Sequence, residues 1–405
     1  MTSSYDVAII GGGPAGAVAG ALLAEAGHDV ALFEAMDFPR FHVGESLVPA
    51  VNATLDRVGV LEAMESRGYT RKHGVQFHTP KGATRPFYFS EASNADLHHT
   101  WQVLRSDFDG MLLDAARQAG VAVSMRTRVV EVVESDGAVR GVRIKRDGGE
   151  ADVAARVVLD ASGYASSLAR RLGQRRTIAG LENGSLFAHY KDVRRDTGID
   201  AGSTLIFRLS DGAWLWLIPL PETVSVGLVA PAKSLASYGT TQAEILGAAI
   251  AQSEPLSERL ANATRTTDVL FARDFTYRAE CDGGVGWALL GDALGFIDPI
   301  YSTGLFLSLL SAELGASAVG AALSNGSDRP DLAGFSEKYQ GAFGQFLALV
   351  RAFYTPDFHF GQLAKDPANR RGLVDLLTGD VGTQWAVKVA NTIRASIAGA
   401  TEMGS

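Results

Sequence analysis

The sequence predicts an α/β protein in three parts: a helix-covered parallel sheet, an inserted antiparallel-sheet unit of α+β character, and a short helical C-terminal part. Three observations predict it. The chain opens with an apolar strand, Asp6 to Ile10, followed by a glycine-rich turn and a helix of small residues. From about residue 174 to 274 it alternates apolar and polar positions between polar turns, the pattern of half-buried antiparallel strands. Near the end an apolar run, Val285 to Leu290, leads past Pro299 into a stretch from Thr303 to Ser324 without a strong breaker, which reads as a helix. The expected division is discontinuous: 1–75, 101–173 and 275–330 for the parallel unit, 76–100 and 174–274 for the antiparallel one, and 331–405 for the helical region.

Composition narrows the classes. At 405 residues, 46% hydrophobic and 20% charged, the chain can bury two or three cores and is not disordered. Its net charge of −8 argues against nucleic acid as the main partner. The single cysteine, Cys281, allows no intramolecular disulfide and fits a reducing cytoplasm. No signal-peptide pattern precedes the first strand, and the apolar runs read as too short or too interrupted to cross a bilayer.

Gly11, Gly13 and Gly16 carry the G-x-G-x-x-G spacing of a Rossmann-like turn, with Pro14 and Ala15 opening the helix behind it. Those positions let backbone approach a pyrophosphate and let helix pack on sheet. The next strand, Asp29 to Phe33, ends at Glu34, placed to bind a ribose 2′-hydroxyl. An acid there favours FAD or NAD over a 2′-phosphorylated nucleotide. Gly44-Glu45-Ser46 is expected to begin a helix, and Lys72 to precede an alternating strand. Arg105 is expected to close a strand, with Ser106 or Asp107 capping a helix; its guanidinium can pair with a phosphate or carbonyl. Asp160 to Gly163 brings a second glycine turn to the same sheet edge. Asp292 follows the late strand, where it can accept from sugar or ribityl hydroxyls. Ser302-Thr303-Gly304 forms a helix first turn, whose amides can hold an anion. Trp214 and Trp216, two apart on a strand, share one face as an aromatic wall. One helix is expected over residues 241–263, and aromatics including Phe353 and Tyr354 cluster around Pro356.

Together these motifs resemble the FAD-dependent halogenases, phenol- or pyrrole-type, within the aromatic-hydroxylase-like flavoproteins. The narrow part of the resemblance is Trp214-Leu215-Trp216-Leu217-Ile218-Pro219, matching W-x-W-x-I-P, with Lys72 and Ser302-Thr303-Gly304. It implies an FAD domain of the glutathione-reductase/p-hydroxybenzoate-hydroxylase type. Cofactor contacts are implied from Gly11, Gly13, Pro14, Ala15, Gly16, Glu34, Ala35, Arg40, Ser46, Arg105, Asp160, Gly163, Asp292, Pro299 and Gly304. Ser302, Thr303 and Gly304 are implied to bind the halide, and Trp214, Trp216, Phe353 and Tyr354 to wall the substrate pocket. Tryptophan halogenases carry glutamate directly before S-T-G, where this chain has Tyr301.

The resemblance implies an FADH2- and O2-dependent enzyme. It would turn chloride or bromide into hypohalous acid through a flavin C4a-hydroperoxide and pass that acid to catalytic Lys72. The product would be a halogenated electron-rich arene in natural-product biosynthesis. Some such relatives act on acyl groups tethered to a carrier protein. Lys72 could form a haloamine, or as an ammonium polarise the acid. With only one dinucleotide fingerprint, reduced flavin is expected from a separate NAD(P)H-dependent flavin reductase. A same-fold monooxygenase or geranylgeranyl-reductase-like oxidoreductase would keep FAD without needing Lys72 or halide. A non-catalytic flavin-binding protein would lack both.

Overall fold

The computed structural model describes residues 4–172, 175–356 and 358–403. The expected boundary at 173/174 lies outside them.

The opening strand Ser4–Ile10 sits inside a sheet, with parallel neighbours on both sides. Val7 pairs with Val30 of Val30–Phe33 and with Val157 of Gly149–Asp160. Across the sheet the order is Gly283–Gly284, Trp287–Leu289, Gly149–Asp160, Ser4–Ile10, Val30–Phe33 and Ala122–Ser124. Val7, Ala8 and Ile9 are fully buried, as central strands of a two-sided sheet must be. The helix Pro14–Glu25 is made of small residues because it is pressed between the sheet and the helices Arg105–Gln118 and Gly304–Ser324. A Cβ on Gly16 would lie 2.0 Å from the Gly11 carbonyl oxygen.

The second sheet runs Gly295–Phe296, Leu270–Ala279, Arg175–Lys191, Val224–Pro231, Trp214–Pro219, Thr204–Arg208, Gly74–Thr79 and Gly82–Ala83. Its period of two divides the protein into two cores. Phe187, Ile206, Trp214, Trp216, Ile218 and Val229 face the large core shared with the parallel sheet. Leu186, Leu205, Phe207, Leu215, Leu217 and Leu228 face a smaller core under the helices Gln242–Ala251 and Glu254–Arg259. The single helix expected over 241–263 is therefore two. Pro255, at the second helix's first turn, has no N–H to continue the first.

Three other expectations change. No helix begins at Gly44-Glu45-Ser46: Gly44 has φ +100°, Ser46 bridges to Gln102, and the helix starts at Val51, past Pro49. Arg105 does not close a strand but opens the helix Arg105–Gln118, whose N-cap, Leu104, makes no side-chain capping bond. The apolar helix Gly304–Ser324, at 21 residues and mean hydropathy 1.6, is long and apolar enough to cross a membrane, contrary to the sequence reading. It packs on Pro14–Glu25 as a core helix, apolar on most of its circumference for that reason.

The C-terminal helices Glu337–Tyr354, Pro367–Thr378 and Gln384–Met403 close the molecule. Asp375 accepts from the Ser93 amide (2.7 Å) and hydroxyl (2.8 Å), and Arg370 donates to Glu91 (2.7 and 3.0 Å). Both contacts tie this helix to the segment just after the strand Gly74–Thr79 and its partners.

Candidate active site

Where the glycine turn meets the antiparallel sheet, a cavity of about 660 Å³ opens. Gly11, Gly13, Pro14 and Ala15 line one end; Glu34, Ala35 and Arg40 flank them; Arg105, Gly163, Asp292, Pro299, Ser302, Gly304, Trp214 and Trp216 continue around it. Gly11 has φ +99°, and a Cβ there would lie 2.6 Å from the Ala161 carbonyl oxygen. At Gly13 a Cβ would meet only an Arg40 nitrogen, at 3.2 Å, so this glycine leaves space on the cavity side. Glu34 accepts from the Gly12 amide (2.8 Å) and the Met36 amide (2.8 Å), one on each oxygen, which fixes its carboxylate at the cavity edge.

Asp292 borders the cavity, and its carboxylate has no hydrogen-bond donor among the described residues. Burial raises its pKa to about 6. An unpartnered acceptor facing a glycine-turn cavity fits the hydroxyl-rich chain of a dinucleotide. FAD fits the residues present.

Other expected contacts are placed differently. Asp160 does not line the cavity. It accepts from Ser162 (3.0 and 2.6 Å) and Ser166 (2.6 Å), holding its own turn. Gly16 packs against Gly11 instead of facing the cavity. Arg105 is held by Asp109 (2.6 and 3.0 Å) and by the Val43 and Gly44 carbonyls (2.8 and 3.3 Å), leaving few donors for a cofactor. Its charge, more than burial, lowers the pKa of the neighbouring His42 to about 4.

At the expected halide site, Ser302 adopts a left-handed conformation (φ 59°) and its amide donates to the Pro299 carbonyl at 2.9 Å. The first helical bond runs from the Leu307 amide to the Thr303 carbonyl (3.0 Å). The amides ahead of it, from Gly304 to Phe306, carry the helix's positive end. Thr303 is buried and lies outside the cavity lining.

Beyond the tryptophans lies a second cavity of about 590 Å³, lined by Phe77, Phe87, Arg208, Tyr301, Phe353 and Phe360 among others. Trp214 borders the first cavity and Phe353 the second, and their rings meet edge to face at 6.4 Å. Trp216 lies across Gly227 of the neighbouring strand, where a Cβ would sit 2.2 Å from the indole. Tyr354 lines neither cavity. Its hydroxyl donates to Asp298 (2.8 Å) and accepts from Trp214 Nε1 (2.8 Å), joining the C-terminal helix to the wall. Burial raises the Asp298 pKa to about 6, and Asn183 also donates to it (2.7 Å).

Lys72 ends the short strand Thr70–Lys72, paired with Thr100, and is 2% exposed. Its Nζ donates to Ser46 Oγ and to the Leu47 carbonyl, both at 2.8 Å, and lies 5.5 Å from the Phe89 ring centre. No carboxylate accompanies it among the described residues, and burial lowers its pKa to about 7. It lines neither cavity. Ser46 stands between it and the first, and Phe89 lies two residues beyond Phe87 of the second. Next to Ser46 in the chain, Glu45 lines the first cavity and pairs with His189 at 2.7 Å. The Glu45–His189 and Asp298–Tyr354 pairs leave no signal in the sequence, since their partners lie far apart in the chain.

The chain matches the FAD binding domain family over residues 4–212. It is 33% identical over 382 residues, 93% of this chain and 92% of the relative, to the 1H-pyrrole-2-carbonyl-[peptidyl-carrier protein] brominase of Pseudoalteromonas luteoviolacea. To the corresponding chlorinase of Pseudomonas fluorescens it is 28% identical, over 97% of this chain and 93% of the relative. Among solved structures it is similar to the flavin-dependent brominase Bmp2, with a TM-score of 0.90 and 30% identity over 99% of this chain and 100% of that one. A glycine-turn cavity whose residues fit FAD, an aromatic wall and relatives of nearly its own length leave one conclusion: the chain belongs to the flavin-dependent halogenases.

Proposed function

We propose that Lys72 is the halogen-carrying residue of this enzyme, and that its substrate is an electron-rich arene, phenolic or pyrrole, delivered on a carrier protein. The observation that carries the first part is the Lys72 amine, buried with no carboxylate partner among the described residues and held 2.8 Å from Ser46 at the edge of the FAD cavity. The second part is supported by the two carrier-protein relatives. Bound reduced FAD, with dioxygen, supplies the oxidising equivalents that turn halide into hypohalous acid.

The chain's own groups do the rest. Amides at the start of Gly304–Ser324 hold and partly dehydrate the halide, which makes it a better nucleophile. The Trp214/Trp216 wall keeps the arene out of the FAD cavity, so the oxidant meets halide rather than substrate. A lysine pKa near 7 gives Nζ a free lone pair in a sizeable fraction of molecules at neutral pH. That nitrogen bonds the halogen of hypohalous acid and water leaves. The arene then takes the halogen, and its displaced proton returns to the amine. Sequence left the ammonium alternative open; the absence of any charge partner among the described residues favours the neutral amine.

The site division into a cofactor unit (1–75, 101–173, 275–330), a substrate unit (76–100, 174–274) and a helical cover (331–405) belongs to the same reading. So do a separate flavin reductase and a reducing, cytoplasmic setting, which suits the exposed free thiol of Cys281. The test is product mass alongside oxygen uptake. Lys72→Ala should bind FAD and consume oxygen with reduced flavin, yet lose halogenated product by about 10²–10⁴-fold. Lys72→Arg should not rescue it, because a guanidinium stays charged. Undiminished product in Lys72→Ala would remove Lys72 from the mechanism. In wild type, the halogenation rate should rise with pH through about 7; a fall would favour the ammonium.

A further inference from the structure

The second cavity is lined mainly by aromatic and aliphatic side chains, with a few polar groups such as Thr84, His359 and Gln362, and by four cations. Phe77, Tyr301, Phe353, Phe358 and Phe360 line it, with Lys81, Arg85, Arg208 and Arg370, and among the described residues no Asp or Glu does. Three of the four cations have ordinary explanations. Arg85 and Arg370 pair with Glu91 at 3.2 and 2.7 Å. Lys81 lies on an exposed turn and is solvated. Arg208 has neither explanation.

Arg208 ends the strand Thr204–Arg208, directly opposite Trp214 in the antiparallel register. Its side chain shares a sheet face with Thr204 and Ile206, which border the FAD cavity. It is half-buried, its guanidinium centre 5.0 Å from the Phe353 ring centre, with no carboxylate partner among the described residues. A ring face is a weak partner for a cation withdrawn from water. The planar fork of donors is matched by two oxygens of a carboxyl group, and the strand holding it is fixed by neighbours on both sides.

We infer that Arg208 is a specificity-determining residue that binds the oxygen of a carboxyl group attached directly to the arene, as free acid or thioester. The ring then lies among Phe353, Tyr301 and Phe77, just across the Trp214 wall from the FAD cavity. This deepens the halogenase reading and rests on it for calling the cavity the substrate's. The carboxyl oxygen is common to a free aromatic acid and to an acyl group on a carrier's pantetheine arm, and binding distinguishes them.

The experiment is equilibrium binding to the FAD-loaded protein, by calorimetry, of pyrrole-2-carboxylate, its pantetheine thioester and pyrrole itself. Wild type should bind at least one carboxyl derivative roughly ten- to a hundredfold more tightly than pyrrole, the size of a charge-assisted hydrogen bond. Preference for the thioester assigns the carrier-bound source, and preference for the acid the free one. Arg208→Leu should abolish the difference, and Arg208→Lys should keep part of it. Flavin content and thermal midpoint check that each variant is folded; should Arg208→Leu not fold, wild type and Arg208→Lys still decide. Equal binding of pyrrole and both derivatives by wild type, or an unchanged preference in a folded variant, overturns the inference. Product assays separate the two readings: carboxyl-dependent binding without halogenated product from any arene would sink the halogenase reading and leave Arg208 standing.

Discussion

The two ends of the active site are built from different materials. At the FAD end the cavity is made by backbone: Gly11, Gly13, the helix start at Pro14, and amides that fix Glu34. At the proposed substrate end the second cavity is made by side chains brought together from remote segments, Tyr301, Phe353 and Arg208, with Trp214 of the first cavity set against Phe353 and tied to Asp298 through Tyr354. A backbone site tolerates little local change but needs few partners. A side-chain site can be retuned one residue at a time, and its parts can fail separately.

The sharpest break of this comparison lies within the glycine turn itself. Gly16→Val should prevent folding or cost several kcal/mol, because its Cβ meets a backbone oxygen at 2.0 Å that cannot move aside. Gly13→Val should fold with a near-native thermal midpoint, since its Cβ meets only the end of Arg40, but purify without flavin absorbance. Normal flavin content in Gly13→Val would contradict a backbone-made cofactor end.

A second, smaller effect concerns Lys72 and pH. Its folded pKa, about 7, lies below the unfolded value near 10.4, so between them the unfolded chain binds more protons than the native one. Stability contributed by this group therefore rises with pH from about 7 to about 10, and the cost of burying the charge is complete below 7. Lys72→Met, which loses the bonds to Ser46 and Leu47 at every pH, should raise the thermal midpoint relative to wild type more at pH 6 than at pH 10. A pH-independent difference between the two proteins would mean that Lys72 is not desolvated.

The smallest expected effect sharpens the substrate end. Tyr354→Phe removes the hydroxyl that joins Trp214 Nε1 to Asp298 and should cost about 1–3 kcal/mol of stability. FAD binding should be unchanged, because Tyr354 lines neither cavity. With the wall loosened, oxygen consumed per halogenated product should rise. An unchanged ratio would show that the Trp214 wall stands without its link to the C-terminal helix.

What was legible in the sequence follows the same division. The strand, the glycine spacing and Glu34 lie within one supersecondary unit, so residues 6–34 made the glycine-turn part of the cofactor end legible by themselves. Trp214 and Trp216 share a face because a strand's period is two, and that too needed no tertiary information. Other readings failed where a local signal had a long-range competitor. Asp160 looked like a cofactor contact but closes its own turn through Ser162 and Ser166. The Ser302 amide looked free but is taken by Pro299.

Only the tertiary structure decided the chemistry of the lysine and the separation of the cavities. Nothing within GYTRKHG distinguishes Lys72 from a solvated surface lysine. Its low pKa arises because a ribbon of Thr70–Lys72 and Thr100–Gln102 carries it under Phe89, against Ser46 and Leu47. Arg208 likewise reads as an ordinary strand-end cation until the C-terminal helix sets Phe353 against it. Backbone preferences act between near neighbours in the chain and leave a signature in sequence. Desolvation and cavity walls depend on which distant segments pack together, so they exist only once the chain is folded.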